Sequence, residues 1–373
     1  MARRSRSLAS LVALSVLVLI VYASLYPFSG WRWPAGSPTL ALLTLPWPAR
    51  RDISDEVLNV LGYVPLGMAL MVLGLRRGHS GWASLMMAIA LPSVLSYAME
   101  LTQCLLPMRV PSLRDWVCNA LGATLGALLA ALLDAIGWLQ RWRAWRDHWF
   151  ARQTPGALIL LGLWPAGLLF PTPIPFGLGD AWSELGGSVI RGLSALNLGL
   201  NWGPSVAPRI PLSGLAEVAA VALGLLGPMS LAAASSHPGR RRVPLMLMVA
   251  VMGVVGMTVS TALNFGPSHA AAWLTPAGVA GVVLGLLLSG LLLWPGRRLA
   301  AALGLLLLSS SVALVLQAPA DAYFTASLQL WEQGRFIGFH GLAQWIGWFW
   351  PYAAILWLLL RFVESDSAAR SSR

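Results

Sequence analysis

Three polar pairs interrupt a chain that is otherwise strongly apolar: Asp55 with Asn59, Glu100 with Gln103, and Asp115 with Asn119. Each pair is spaced three or four residues apart, which puts its members on one face of a helix. Carboxylates beside amides can exchange protons and hydrogen-bond a polar head group. In lipid such groups are expensive, since a charged side chain at the centre of a lone transmembrane helix costs ~2.5–3.5 kcal/mol. Side chains held at that cost face a protein interior, a wet cavity or a ligand. Glu100 and Asp115 are therefore the acid/base candidates. Asp55, Asn59, Gln103, Arg109, Arg114 and Asn119 are the candidate ligand-binding residues, the two arginines because a planar guanidinium suits phosphate.

The alternative is a self-satisfied network in which Glu100 pairs with Arg109 or Arg114 and the amides bridge helices. Interhelical hydrogen bonds of this kind average only ~0.6 kcal/mol, a small return for three stacked pairs and two arginines. A lipid-linked phosphate, an envelope precursor or another membrane lipid is the partner such a site would take, with or without catalysis. The histidines His79, His148, His237, His269 and His340 show no metal-ligand spacing, and no nucleotide loop or nucleophile elbow occurs. The sequence therefore predicts no cofactor, no metal and no nucleic-acid partner, and leaves the oligomeric state open.

The elements that carry these residues follow from composition. Hydrophobic residues are 57% of the 373 and charged residues only 10%, against roughly a quarter charged in soluble proteins. The fold class is all-α, a polytopic transmembrane helical bundle. About 20 apolar residues cross a bilayer, and ten segments qualify: 8–26, 57–75, 82–105, 113–134, 155–171, 212–234, 244–263, 276–294, 299–317 and 342–361. Every basic residue is Arg, and alternate loops hold the clusters: Arg3, Arg4 and Arg6; Arg76 and Arg77; Arg141, Arg143, Arg146 and Arg152; Arg240, Arg241 and Arg242; Arg297 and Arg298; Arg361. The lack of Lys with abundant Ala, Gly and Leu suggests a GC-rich bacterial genome and so an inner (plasma) membrane, and the positive-inside rule puts both termini on its cytoplasmic side.

This topology gathers the three pairs. Asp55 and Asn59 open an inward span, and Glu100 lies ~27 Å along an outward one. Asp115 and Asn119 lie within roughly 10 Å of where the next span re-enters. Gly122 and Gly126 continue the Asn119 stripe, and Gly62 and Gly67 offer a second helix the same close approach. Cys104 and Cys118 fall at one depth on adjoining helices as small packing residues, with a disulfide as the alternative.

Three domains are expected: a four-helix bundle over 1–137, an interfacial helix or linker over 138–153, and a six-helix bundle over 154–373. In the middle segment Trp138, Trp142, Trp145 and Trp149 share one face, with arginines around much of the remainder, as in a helix lying in the membrane interface. Short outer helices are expected after Asp180 and after Asp321.

The strings "DEVLNVLGYVPLGMAL" and "YAMELTQCLLPMRVPSLRDWVCNALGATLGALLA" resemble the VanZ-like family of bacterial membrane proteins, over roughly residues 10–135. The pattern of acid and Asn before Pro-Leu-Gly, then Glu-x-x-Gln, Arg after Pro, and Asp with Asn opening a Gly-rich helix falls on Asp55, Asn59, Pro65, Leu66, Gly67, Glu100, Gln103, Arg109, Asp115, Asn119, Gly122 and Gly126. The resemblance implies a cell-envelope role and, through the family's namesake, an effect on susceptibility to the glycopeptide teicoplanin. It supplies no reaction and does not extend to the second half.

Overall fold

In a computed structural model the described residues are 8–26, 28–34, 44–48, 53–151, 154–181, 212–318 and 337–370. Arg3, Arg4, Arg6, Arg51, Arg152 and the helices expected after Asp180 and after Asp321 lie outside them. The chain divides into two compact units, Met1–Asp147 and His148–Arg373.

The first unit holds α1 (Leu8–Leu25), α2 (Ile53–Arg76), α3 (Gly81–Gln103), α4 (Leu113–Ala135) and most of α5 (Trp138–Trp149). The second holds α6 (Pro155–Leu168), α7 (Gly214–Ser235), α8 (Arg242–Phe265), α9 (Pro276–Ser289), α10 (Arg297–Val315) and α11 (Ile337–Arg370). Every expected span is helical, and the protein is a multi-pass membrane protein. Among the described residues eight helices are long and apolar enough to cross a membrane, whereas Pro155–Leu168 and Pro276–Leu292 are shorter. The 14 residues of α6 reach about 21 Å. Pro171, Pro173 and Pro175 follow them, and proline supplies no backbone donor with which to continue a helix.

Two helices of the first unit meet along a glycine seam. A Cβ on Gly122 would overlap the carbonyl oxygen of Val60, one on Gly126 that of Val64, and one on Gly67 that of Ala123. The contact positions on α2 and α4 rise together, so these helices run parallel with backbones touching. Lipid tails supply no hydrophobic force between helices, so such contact is what holds them. Gly62, expected to act likewise, has nothing within 4 Å of its would-be Cβ. The antiparallel α3 packs against both, presenting the stripe Ser84, Ala88, Pro92, Ser96, Glu100 and Gln103.

In the second unit α7 is buried almost continuously from Ala220 to Ser235 and is packed by α6, α8, α9, α10 and α11. Arg242, expected in a loop cluster, is instead the fully buried first residue of α8. Its guanidinium donates to Ser236 Oγ (3.3 Å) and to the carbonyls of Ser236 (3.2 Å), Leu292 (2.6 Å), Leu293 (3.4 Å) and Pro295 (2.8 Å). The cation satisfies carbonyls where α7 and the 3-10 turn after α9 end, which is where helix dipoles favour positive charge.

Candidate functional site

The end of α1, the start of α2, the end of α3 and the start of α4 meet at one end of the first unit. Gln103 Nε2 donates to the Ser24 carbonyl at 2.9 Å, tying α3 to α1. Asn119 Nδ2 donates to Ser96 Oγ at 2.9 Å, tying α4 to α3. Trp116 Nε1 donates to the Ser93 carbonyl at 3.0 Å and sets its ring edge-on to Tyr97.

Glu100 is at the centre and only 4% exposed. Its Oε2 accepts the Ser112 N–H at 2.8 Å. Ser112 is the N-cap of α4, and its Oγ accepts the Asp115 N–H at 3.3 Å. In a capping box the carboxylate three residues on would return to the cap's own N–H. Here Glu100 of the neighbouring helix takes that N–H, so the Asp115 carboxylate is not committed to it. A hydrogen bond of this kind is worth about 0.5–1.5 kcal/mol, rising to about 3 kcal/mol when the carboxyl is ionised. It holds the start of α4 against the end of α3.

Around Glu100 lie buried polar atoms. Asn119 and Tyr63 are each 5% exposed, and among the described residues Asn119 Oδ1 makes no hydrogen bond. Tyr63 lies within electrostatic reach of Glu100 and close to Ser96, the serine that Asn119 bonds. Asp115 is half-buried and within electrostatic reach of Asp55 and Glu56, and Glu100 of Asp115. Asp55 is exposed in the first turn of α2, where acid suits the helix dipole, and Asn59 is half-buried one turn below.

The arginines are not where the self-satisfied network requires them. Arg109 donates through Nε and Nη2 to the carbonyl of Tyr26, at 3.2 and 3.0 Å, and through Nη2 to that of Ala23 at 2.8 Å. It closes the carbonyl end of α1, where a cation is favoured. Burial pulls its pKa below the ordinary arginine value, and the neighbouring Glu100 pushes it back up. Arg114 donates to Glu56 Oε1 at 3.5 Å and the Pro48 carbonyl at 3.4 Å, beneath the Trp47 ring at 5.2 Å. Glu100 thus forms an ion pair with neither arginine among the described residues.

All eight predicted site residues sit at this end. Sequence reasoning missed Ser112, Ser96, Tyr63 and Glu56. Ser112-x-x-Asp115 ahead of an apolar run was a readable cap signal, and Ser96 lies one turn before Glu100 on the same stripe. Tyr63 likewise follows Asn59 by four residues. Among the described residues no group of His, Cys, Asp and Glu is placed to hold a metal ion. No disulfide joins Cys104 and Cys118. Burial pushes the Cys104 thiol pKa up.

Neither a curated protein nor a solved structure matches the chain. Residues 8–134 match the family model described as VanZ/LLP1, so this segment of the membrane protein is a VanZ-like domain.

Proposed function

We propose that this is a bacterial inner-membrane protein with a cell-envelope role, crossing the membrane ten times with both termini cytoplasmic. Its VanZ-like domain binds, at the outer end, the head group of an anionic lipid-linked envelope ligand. Through that ligand it affects susceptibility to teicoplanin. The arginine-rich alternate loops support this orientation.

The observation that carries the reading is the buried trio of Glu100, Asn119 and Tyr63, with Asn119 Oδ1 making no hydrogen bond among the described residues. A buried polar group without a partner costs about 1–3 kcal/mol. A hydroxyl-bearing ligand that donates to Glu100 and Asn119 recovers that cost. Its phosphate is met at the rim by Arg109, whose Nη1 makes no hydrogen bond among the described residues, and by the neighbouring guanidinium of Arg114.

A catalytic form of the reading is favoured by one feature, the electrostatic proximity of Glu100 and Asp115. In it the protein is a membrane enzyme acting on a lipid-linked phosphate, one carboxyl taking a proton from the attacking hydroxyl and the other returning one to the leaving oxygen.

Lipid mass spectrometry of the purified protein tests both forms. A phospholipid or polyprenyl species is expected with the wild type and absent from Glu100→Gln and Asp115→Asn. Retention of the species in both variants rejects the site. Incubation with the identified lipid then separates binding, in which the lipid emerges unchanged, from turnover. A purely structural envelope subunit would carry no such species at all.

A further inference from the structure

The opposite end of the first unit carries a second cluster of charge. Arg76 ends α2, roughly 30 Å along that helix from Asp55. It lies within electrostatic reach of both Arg143 and Arg146 on α5. Like charges repel, and three guanidiniums converge here where an anion would hold them together. Arg146 is engaged by Asp147, through Nε at 3.0 Å and Nη2 at 2.6 Å. Arg143 Nε is buried and has no hydrogen-bond partner among the described residues. Arg77 and Arg141 are exposed nearby in sequence, so five arginines stand at this end against Asp134 and Asp147.

The same helix carries an aromatic ladder. Trp138 stacks on Trp142 with ring centroids 5.8 Å apart and 5° between planes, and Trp142 on Trp145 at 5.0 Å and 22°. No residue of α5 is buried, and these three indoles are 38–44% exposed. α5 begins three residues after α4 ends, across a turn in which Gly137 takes φ 72°. Trp82, 71% exposed at the start of α3, belongs to the same end. Tryptophans at this level sit among head groups and upper acyl chains.

We propose that Arg76, Arg143 and Arg146, with the Trp138–Trp142–Trp145 ladder, form a binding site for an anionic phospholipid. The phosphate accepts from Arg143 Nε and from Arg76, and the acyl chains lie along the indoles. Planar guanidiniums match phosphate oxygens, and the unpartnered buried Nε–H supplies a donor aimed at no protein acceptor. The site is independent of the polar end around Glu100.

The test uses the full-length protein in nanodiscs of equimolar phosphatidylglycerol and phosphatidylcholine, with retained lipids counted by native mass spectrometry. The wild type retains phosphatidylglycerol preferentially. Arg143→Gln and Arg76→Gln each weaken that preference roughly fivefold. No preference in the wild type, or an unchanged one in folded Arg143→Gln, overturns the proposal. If the variants do not fold, the wild-type preference and its loss at high ionic strength decide the matter. Displacement of phosphatidylglycerol by inorganic phosphate, with equal thermal stabilisation by phosphate alone, would assign the cluster to a soluble anion and overturn the lipid reading.

Discussion

Gly122→Ala and Gly126→Ala place one methyl group each in the seam between α2 and α4. The added carbon would lie 2.9 Å from the carbonyl carbon and 3.0 Å from the Cα of Val60, or of Val64 for the second variant. Carbon pairs are comfortable at ~3.5–4.0 Å, so the helices must separate by roughly half an ångström to an ångström. Overpacking costs about 1–3 kcal/mol, and here the obstructing atoms are backbone that cannot rotate aside, so each variant belongs in the upper half of that range. Opening the seam once also makes room for the second methyl, so the double variant should lose less than the sum of the two. Gly62→Ala is the matched control on α2, with open space around its new methyl and an expected effect within about 0.5 kcal/mol. Thermal and denaturant unfolding of the detergent-solubilised protein measures all four variants. If Gly122→Ala and Gly126→Ala prove as stable as Gly62→Ala, the parallel contact of α2 with α4 is wrong.

Glu100→Leu should destabilise by about 1–3 kcal/mol by leaving the Ser112 N–H without its acceptor, while Glu100→Gln keeps an acceptor and most of the stability; unfolding curves compare them. Arg109→Ala should cost about 1–3 kcal/mol by orphaning the carbonyls of Ala23 and Tyr26, and an unchanged midpoint would show that water replaces the guanidinium at no cost. Arg242→Ala removes donors from four carbonyls and should lower stability more than the exposed Arg241→Ala, with Arg242→Lys recovering part of the loss; equal melting of the three rejects the buried role. Burial raises the Cys104 pKa, so at neutral pH it holds less thiolate than an ordinary thiol of pKa ~8.5. Its alkylation in Cys118→Ser protein should therefore be slow at neutral pH and accelerate above that range, a rate equal to that of a model thiol being the contrary outcome.

Apolar length located the helices in the sequence, and it erred only where proline intervened, as at the end of α6. The glycine stripe of α4 was readable because 122 and 126 share a face with Asn119. Which glycine of α2 met it was not, since Gly62 and Gly67 differ only in rotation about a helix whose partner the sequence does not name. The protein partners of the arginines were hidden for a similar reason. Arg109 meets carbonyls more than 80 residues away, and Arg114 meets Pro48 and Glu56 across 66 and 58 residues. No local pattern announces such a partner. Serine carries little signal in an apolar span, so the role of Ser96 became visible only once α3 lay beside α4. Arg242 shows the same limit, because a basic residue at a span's edge reads as a loop charge until carbonyls from other helices enclose it.

The most direct test of the central claim is labelling of single cysteines in intact cells with a membrane-impermeant maleimide, in a Cys104→Ser, Cys118→Ser background. Asp55→Cys and Met108→Cys sample exposed positions at the polar end, Met108 being 81% exposed, and His79→Cys samples the opposite end. The account predicts labelling from outside at 55 and 108 and none at 79 until the membrane is permeabilised. Labelling of 79 from outside, or of 55 and 108 from opposite faces, would contradict it.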